Sequence, residues 1–529
     1  MDNFGGFDWL IATTGVVPVQ PLTVNSRFGN ARSTVATADR RRVETYPKAM
    51  RPGPTVEGHL FFAFRYEPIH LEFLARLFCE IDPHIIETWI RKEPTGQYSR
   101  KTGFFYEWLT GQRLNVPDVI AGNYFDALDP DQYLTAPRSV NNQRWRVRDN
   151  LPGTREFCPM VRRTDAVHAI EDYSCSAALQ SLEVQFGAEL LLRSANWLSH
   201  KESRASFLIE HEEQHVDRVR RFAAVMGRRC GGEGDPLQEA VLTQLQEEIL
   251  GKATRYGLRK SPVFVGHNDA FVPVGDYIAP QWEDARELLA GLSITMAKTR
   301  NQSAIVRAAV ASFAFVYIHP MTDGNGRISR FLVNDVLRRD GAVPAPFILP
   351  ISATITNNSR ERVGYDRALE AFSKPLMARF SDRYDFNTEI ECEDGVRTNF
   401  RFDAYEEAMP AWRYPELTQQ VEYMGHVVRM TIEDEMTNEA SYLRNLERAR
   451  EAVKNRLEGP NTDIDSIIRS LKQNGWQLSG SLRKRFPQLE DSRLAELIIE
   501  DVRAVYEPLA KAHDDEDNAR DVDDPRTMY

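Results

Sequence analysis

His319-Pro-Met-Thr-Asp323-Gly324-Asn325-Gly326-Arg327-Ile-Ser-Arg330 is the stretch on which the reading of this chain turns. It joins an imidazole, a carboxylate, a Gly-Asn-Gly turn and two arginines three apart, and each part suits a phosphate. Glycines on both sides of Asn325 let the backbone come close to a ligand, and the N–H groups opening the next helix form an anion site. Arg327 and Arg330 share one helix face, where their planar forks match phosphate oxygens. Asp323 is a hard oxygen ligand suited to Mg²⁺. His319, ending an apolar helix before Pro320, is neutral near pH 7 and can accept a proton. Any one residue reads as ordinary structure, but the joint pattern arises by chance on the order of once in a million such chains.

These residues resemble the signature of Fic-domain proteins, His-Pro-Phe-x-Asp/Glu-Gly-Asn-Gly-Arg-x-x-Arg, with Met321 where the family has Phe. Met is an apolar filler of similar reach, so slightly looser packing under the loop is expected. Pro262-Val-Phe-Val-Gly-His through Phe271-Val-Pro resembles the family's flap hairpin, and Ile305–Ile318 the helix that delivers the histidine. More weakly, Arg65-Tyr-Glu-Pro, Glu93-Pro-Thr-Gly and Trp108-Leu-Thr-Gly resemble the leader of long bacterial members.

The resemblance implies a mainly α fold, a Fic-type helical core with a β-hairpin flap and flanking helical regions. It implies a protein adenylyltransferase that moves AMP from ATP to a Ser, Thr or Tyr hydroxyl of a protein, the chain itself included. His319 would be the base and Asp323 would hold Mg²⁺. Gly324, Asn325 and Gly326 would cradle phosphates through their backbone, with Arg327 and Arg330 on the distal phosphates. Tyr365 lies where relatives contact adenine, or in the core. Val263, Phe264, Val265, Gly266 and His267 would dock the target by strand addition. Kinase-like relatives carry Lys at the place of Gly326, so glycine there favours AMP transfer. A de-AMPylase, or a nucleotide-binding or DNA-docking regulator on the same fold, is the alternative.

Ser206-Phe-Leu-Ile-Glu210 fits the family's inhibitory pattern Ser/Thr-x-x-x-Glu-Gly/Asn except at its last place, His211. Paired with Arg330, Glu210 would take the guanidinium from the γ-phosphate; a solvated glutamate is the competing reading. His211-Glu-Glu-Gln-His215 matches the zinc-protease helix His-Glu-x-x-His, a remote alternative whose third ligand would be an unmarked acid such as Glu239.

Outward from the motif, helical periodicity covers about 166–250 (continuous from Ser203 through His215), 281–298, 301–318, 327–339, 359–380, 416–457 and 463–508. Residues 262–273 read as two β-prone runs around the turn-rich Gly266-His-Asn-Asp. The expected organisation is an irregular arm (1–55), an N-terminal helical domain (56–155), a helical region with the inhibitory helix (156–235), the Fic core (236–385), a helical linker (386–460), a small helical module (461–510) and a disordered acidic tail (511–529). The 529 residues are 42% hydrophobic, enough for several folding units, and the net charge of −11 argues against nucleic acid as a general partner. The module at 461–510 could form a helix-turn-helix, but its charges nearly cancel, which favours docking or structure over DNA. The N-terminus has no basic signal-peptide region, no stretch approaches a membrane span, and five scattered cysteines read as reduced, so a cytoplasmic protein is expected.

Overall fold

The computed structural model describes residues 3–37, 41–251, 256–269 and 272–520. It is mainly α, and its chain divides into two compact units: residues up to Ser176 with Leu198–Thr431, and Ala177–Trp197 with Ile432 onward.

The first unit opens with α1 (Gly6–Thr14), β1 (Val24–Gly29), β2 (Ser33–Ala36) and β3 (Arg42–Pro47). The strands pair in the order β1-β3-β2, β1 parallel to β3. This replaces the irregular arm expected over 1–55. The segment is pinned by carboxylates from a later part of the chain: Glu67 accepts from Phe7 N–H at 2.8 Å, and Glu72 from Val19 and Gln20 N–H at 2.7 and 3.0 Å. Such long-range satisfaction of backbone groups leaves no local periodicity to read.

Helices α2 (Val56–Tyr66), α3 (Leu71–Glu80), α4 (Pro83–Lys92) and α5 (Gln97–Thr110) follow. Thr55 and Asp82 accept N-cap hydrogen bonds, Pro83 sits at the first turn of α4, and Gly111 ends α5 in the left-handed region. These helices bury Phe73, Leu77, Phe104 and Phe105 in one cluster with Trp145, which follows the short strands β4 (Phe125–Asp126) and β5 (Val140–Asn142) and precedes β6 (Val147–Asp149).

The chain continues through α6 (Asp165–Glu171), α7 (Cys175–Phe186), α8 (Ala188–Ile209), α9 (Val216–Arg229) and α10 (Glu239–Leu250) to the hairpin β7 (Phe264–Asp269) and β8 (Val272–Ile278). Gly266-His-Asn-Asp, expected as the hairpin turn, runs inside β7. A register irregularity between Val265 and Gly266 absorbs the extra residue. Then come α11 (Trp282–Lys298), α12 (Ala304–Ile318), α13 (Asn325–Arg339), α14 (Ile351–Asn357) and α15 (Ser359–Arg379). α12 is apolar on nearly every side and buried from Ile305 to Phe315, which makes it the central helix, packed against α11, α13 and the later helix Thr418–Met430.

The region expected as a helical linker over 386–460 opens instead with the antiparallel pair β9 (Tyr384–Glu391) and β10 (Arg397–Phe402), joined by a turn with Gly395 at φ 72°. Aromatic residues at 384, 386, 400 and 402 alternate here with polar ones, which is strand periodicity. Helices α16 (Tyr405–Arg413) and α17 (Thr418–Met430) complete the unit.

In the second unit, α18 (Thr437–Lys454), α19 (Asn461–Gln473), α20 (Gly480–Arg485) and α21 (Ser492–Arg520) gather Val453, Ile464, Ile467, Leu471, Ile498 and Val502 into a separate apolar cluster. The helical stretch read over 463–508 is divided among three α-helices. Of the acidic tail expected over 511–529, α21 takes the part to Arg520 and the remainder lies outside the described residues.

Candidate active site

The phosphate-suited loop hangs between the end of α12 and the start of α13. His319 caps α12 in the left-handed region, φ 48° and ψ 53°, with its N–H donating to Phe315 O at 2.9 Å. The following residues are held as a strand-like edge: Arg259 N–H donates to Pro320 O at 2.9 Å, Thr322 N–H to Gly257 O at 3.2 Å, and Leu258 bridges Met321. Met321 is fully buried beneath the loop.

Asn325 closes the loop from inside. Its Oδ1 accepts from Met321 N–H and its Nδ2 donates to Met321 O, both at 2.9 Å. Its side chain is thereby spent on the loop, and only its backbone is left for a ligand. Gln246 of α10 braces the same turn, donating to Asp323 O at 2.8 Å and Thr322 Oγ1 at 3.0 Å while accepting from Gly257 N–H at 2.8 Å. Gly324 begins α13 at φ 80°, a conformation that favours glycine, so the N–H groups of Asn325, Gly326 and Arg327 form the open first turn.

His319 is half-buried, and its Nδ1 lies 3.3 Å from Val316 O. A carbonyl only accepts, so Nδ1 carries the proton and Nε2 keeps its lone pair. Burial, reinforced by the charge of Arg259, lowers the imidazole to about 4 against weaker opposing effects of the Val316 bond and Glu210. The ring is therefore a neutral acceptor across the physiological range.

Both arginines are buried and both are occupied. Arg330 donates through Nε to Ser206 Oγ at 2.7 Å and through Nη2 to Ser206 O at 3.0 Å and Glu210 Oε1 at 2.7 Å. Ser206 and Glu210, one helical turn apart, thus grip one guanidinium. Burial raises the Glu210 carboxyl, but Arg330, with Arg327 and His319, outweighs it and holds the group below its ordinary range. A β-carbon on Gly326 would overlap Glu210 Oε1, so the carboxylate covers the opening turn of α13. Arg327 donates to Glu212 Oε2 at 2.6 Å and to Asp323 Oδ1 at 2.8 Å, and lies over the Phe207 ring. Glu212 as the partner of Arg327 was not evident in the sequence, where it belonged to the zinc-like pentapeptide.

That pentapeptide is not a helix. α8 stops at Ile209, His211 takes φ 57°, and α9 starts only after His215. Glu212 N–H donates to Phe207 O and His211 N–H to Leu208 O, the paired bonds of a left-handed helix stop. Two imidazoles one turn apart on a helix are therefore absent, and among the described residues no group of three or more His, Cys, Asp and Glu is placed to hold a metal. Position 211, directly after Glu210, adopts positive φ, so Gly or Asn would suit it better than His. Replacing His211 with Gly should accordingly stabilise the chain by about 0.5–1 kcal/mol, and His211→Val should destabilise it by more than about 1 kcal/mol, both read from denaturant midpoints.

Tyr365 on α15 is buried, within 6.3 Å of Phe313 and 6.2 Å of Tyr423 between ring centroids, and the charges of Arg330 and Glu210 both act on its hydroxyl. It borders the arginine site. In the flap, Phe264 is packed among Tyr384, Phe386 and Phe400, while Val265 is exposed and Val263 O accepts from Ala279 N–H. Gly266 and His267 pair with Gly275 and Val274, and the His267 side chain lies outside the described residues.

Residues 236–337 match the model of the Fic/DOC family. Over 143 residues the chain is 32% identical to "Protein adenylyltransferase fic-1" of Caenorhabditis elegans, covering 27% of this chain and 22% of that protein. It is 36% identical over 106 residues to "Protein adenylyltransferase Fic" of Nematostella vectensis, covering 20% and 23%. The chain thus spans about a fifth of the length of these curated relatives. A crystal structure of a Fic family protein from Desulfovibrio desulfuricans superposes with a TM-score of 0.35 at 15% identity, covering 59% of this chain and 91% of that one.

Proposed function

We propose that this chain, whose residues 236–337 match the model of the Fic/DOC family, is a nucleotidyltransferase. It would move AMP from ATP to a hydroxyl of a protein, in a resting form braked by Glu210. The observation that carries the reading is the union, in one braced loop, of a neutral His319 whose Nε2 has no partner among the described residues and a helix start suited to an anion.

In the reaction, the acceptor oxygen attacks the α-phosphorus of ATP as the bond to pyrophosphate breaks, and His319 Nε2 takes the hydroxyl proton. The first-turn N–H groups of α13 bind phosphate oxygens, and Arg327 and Arg330 stabilise the charge that gathers on departing pyrophosphate. Asp323 is a single, partly exposed carboxylate beside that helix start, 39% exposed at its side chain. A carboxylate of this kind would suit Mg²⁺, and Asp323 would be the residue that holds it. Such an ion supplies charge neutralisation on the phosphates. Val265 and the backbone around it would receive a strand of the target, with Phe264 anchoring the flap from behind. Tyr365, next to Arg330, would border the nucleotide. The unpaired cysteines suit a reducing compartment such as the cytoplasm.

The resting state follows from the same contacts. With Arg330 held by Glu210 and Ser206, and a carboxylate over Gly326, a γ-phosphate would meet an occupied guanidinium and a like charge.

ATP labelled on its α-phosphate, with Mg²⁺, should label the Glu210→Gly protein or a co-incubated target and add one AMP to the intact mass. Label entering from the γ-position instead would overturn AMP transfer in favour of phosphorylation.

A further inference from the structure

Arg259 belongs to none of the motifs discussed above, yet it is among the largest fully buried side chains of the molecule. Its Nε donates to His319 O at 2.7 Å, its Nη1 to Ser261 O at 3.0 Å, and its Nη2 to Pro280 O at 2.6 Å and Ile318 O at 3.4 Å. Every partner is a carbonyl, and among the described residues no carboxylate pairs with it. A buried charge satisfied only by backbone needs a matched set of acceptors, which a planar five-donor fork can meet and an ammonium cannot.

The four carbonyls fall into two groups. Those of Ile318 and His319 end α12, where helix carbonyls lack partners and the dipole favours a cation. Those of Ser261 and Pro280 lie at the two ends of the β7–β8 flap. The Arg259 backbone N–H adds a fifth bond, to Pro320 O. We propose that Arg259 is a positioning residue that ties the stem of the flap to the carbonyl end of α12, so that the target-docking strand and the base His319 keep one fixed geometry.

The kinetic side of this inference rests on the AMP-transfer reading; the structural side does not. The charged groups acting on His319 are Arg259, from the segment before the flap, and Glu210, from the end of α8, while Val316 O binds the ring from within α12. Loss of the Arg259 charge should let the imidazole titrate nearer 6.5. A misplacement of the order of 1 Å at the reacting centre costs roughly 100-fold in rate.

The test uses Arg259→Gln and Arg259→Lys in the full-length Glu210→Gly protein. Two quantities are read: kcat and KM for ATP from α-label transfer, and the titration of His319 by imidazole NMR, assigned through its loss in His319→Ala. The Gln variant should lose about 100-fold in kcat with KM for ATP within about three-fold, and its His319 titration should move up. The Lys variant should restore the titration but only part of the rate. If Arg259→Gln keeps both the parent rate and the parent titration, the inference is wrong. It is equally wrong if both variants lose kcat, ATP affinity and melting temperature together with the titration unmoved. Should the Gln variant not fold, the Lys variant decides: reduced kcat at unchanged KM and titration supports positioning, and parent kcat overturns it. A Glu210→Gly parent that transfers no label would sink the AMP-transfer reading, while the titration would still decide the role of Arg259.

Discussion

Replacing His319 with Ala should cut α-label transfer by about 1,000-fold, the scale on which a positioned general base acts. In the proposed reaction the ring would carry that proton transfer with its state set in advance. Nδ1 is tied to Val316 O, Nε2 meets no hydrogen-bond partner among the described residues, and burial with Arg259 nearby lowers the pKa to about 4. The sign follows directly: the active form is neutral, so activity persists above the folded-state pKa and falls as pH drops through it. In the Glu210→Gly background, kcat/KM at pH 6 should stay close to its value at pH 7.5, whereas an imidazole titrating at its ordinary 6.5 would have lost about three-quarters of its neutral form. ATP binding should survive in His319→Ala, because the anion site belongs to the helix start and the arginines. Equal labelling by His319→Ala and its parent would remove His319 from the mechanism.

What could be read in the sequence was what the chain encodes locally. The 319–330 segment places base, carboxylate, glycine turn and arginines within one helix end and one helix start, so their chemistry is visible in order of residues. The spacing from Ser206 to Glu210 is a single helical turn, and the structure brings both onto Arg330. What could not be read depends on residues far apart in the chain. Glu212 reaches Arg327 across 115 positions and Gln246 reaches Asp323 across 77. The Arg259 fork reaches His319 and Ile318 across about 60, and none of these partners has a local signature. The end of α8 was hidden for another reason. His-Glu-Glu-Gln-His is a helix-compatible run, and its stop residue His211 lacks the glycine that usually announces a left-handed turn. The β9–β10 strands lay within a long polar segment where six-residue alternation is easily taken for loop or helix.

The occupied arginines lead to the second large effect. Glu210→Gly removes both the partner of Arg330 and the carboxylate that overlies Gly326, and should raise labelling by about 100-fold, mainly through tighter productive ATP binding. Glu210 is about one-third exposed, so solvent screens its pairing, and much of the effect comes from clearing the space above the helix start. Arg327 stays held after that change, because Glu212, its side chain 31% exposed, bonds it from the turn that follows α8. Removing Glu212, which leaves Asp323 as the remaining carboxylate on Arg327 among the described residues, should add about a further ten-fold in Glu210→Gly/Glu212→Ala, some 1.4 kcal/mol, with most of the gain in KM for ATP. Glu212→Ala alone should change labelling less than about three-fold, since under the proposed brake Glu210 would still occupy Arg330. The two carboxylates then act as a pair of latches on one turn, and the gain from the second depends on release of the first. If the double variant labels no faster than Glu210→Gly, Glu212 only shapes the turn, and Arg327 reaches the phosphates without leaving it.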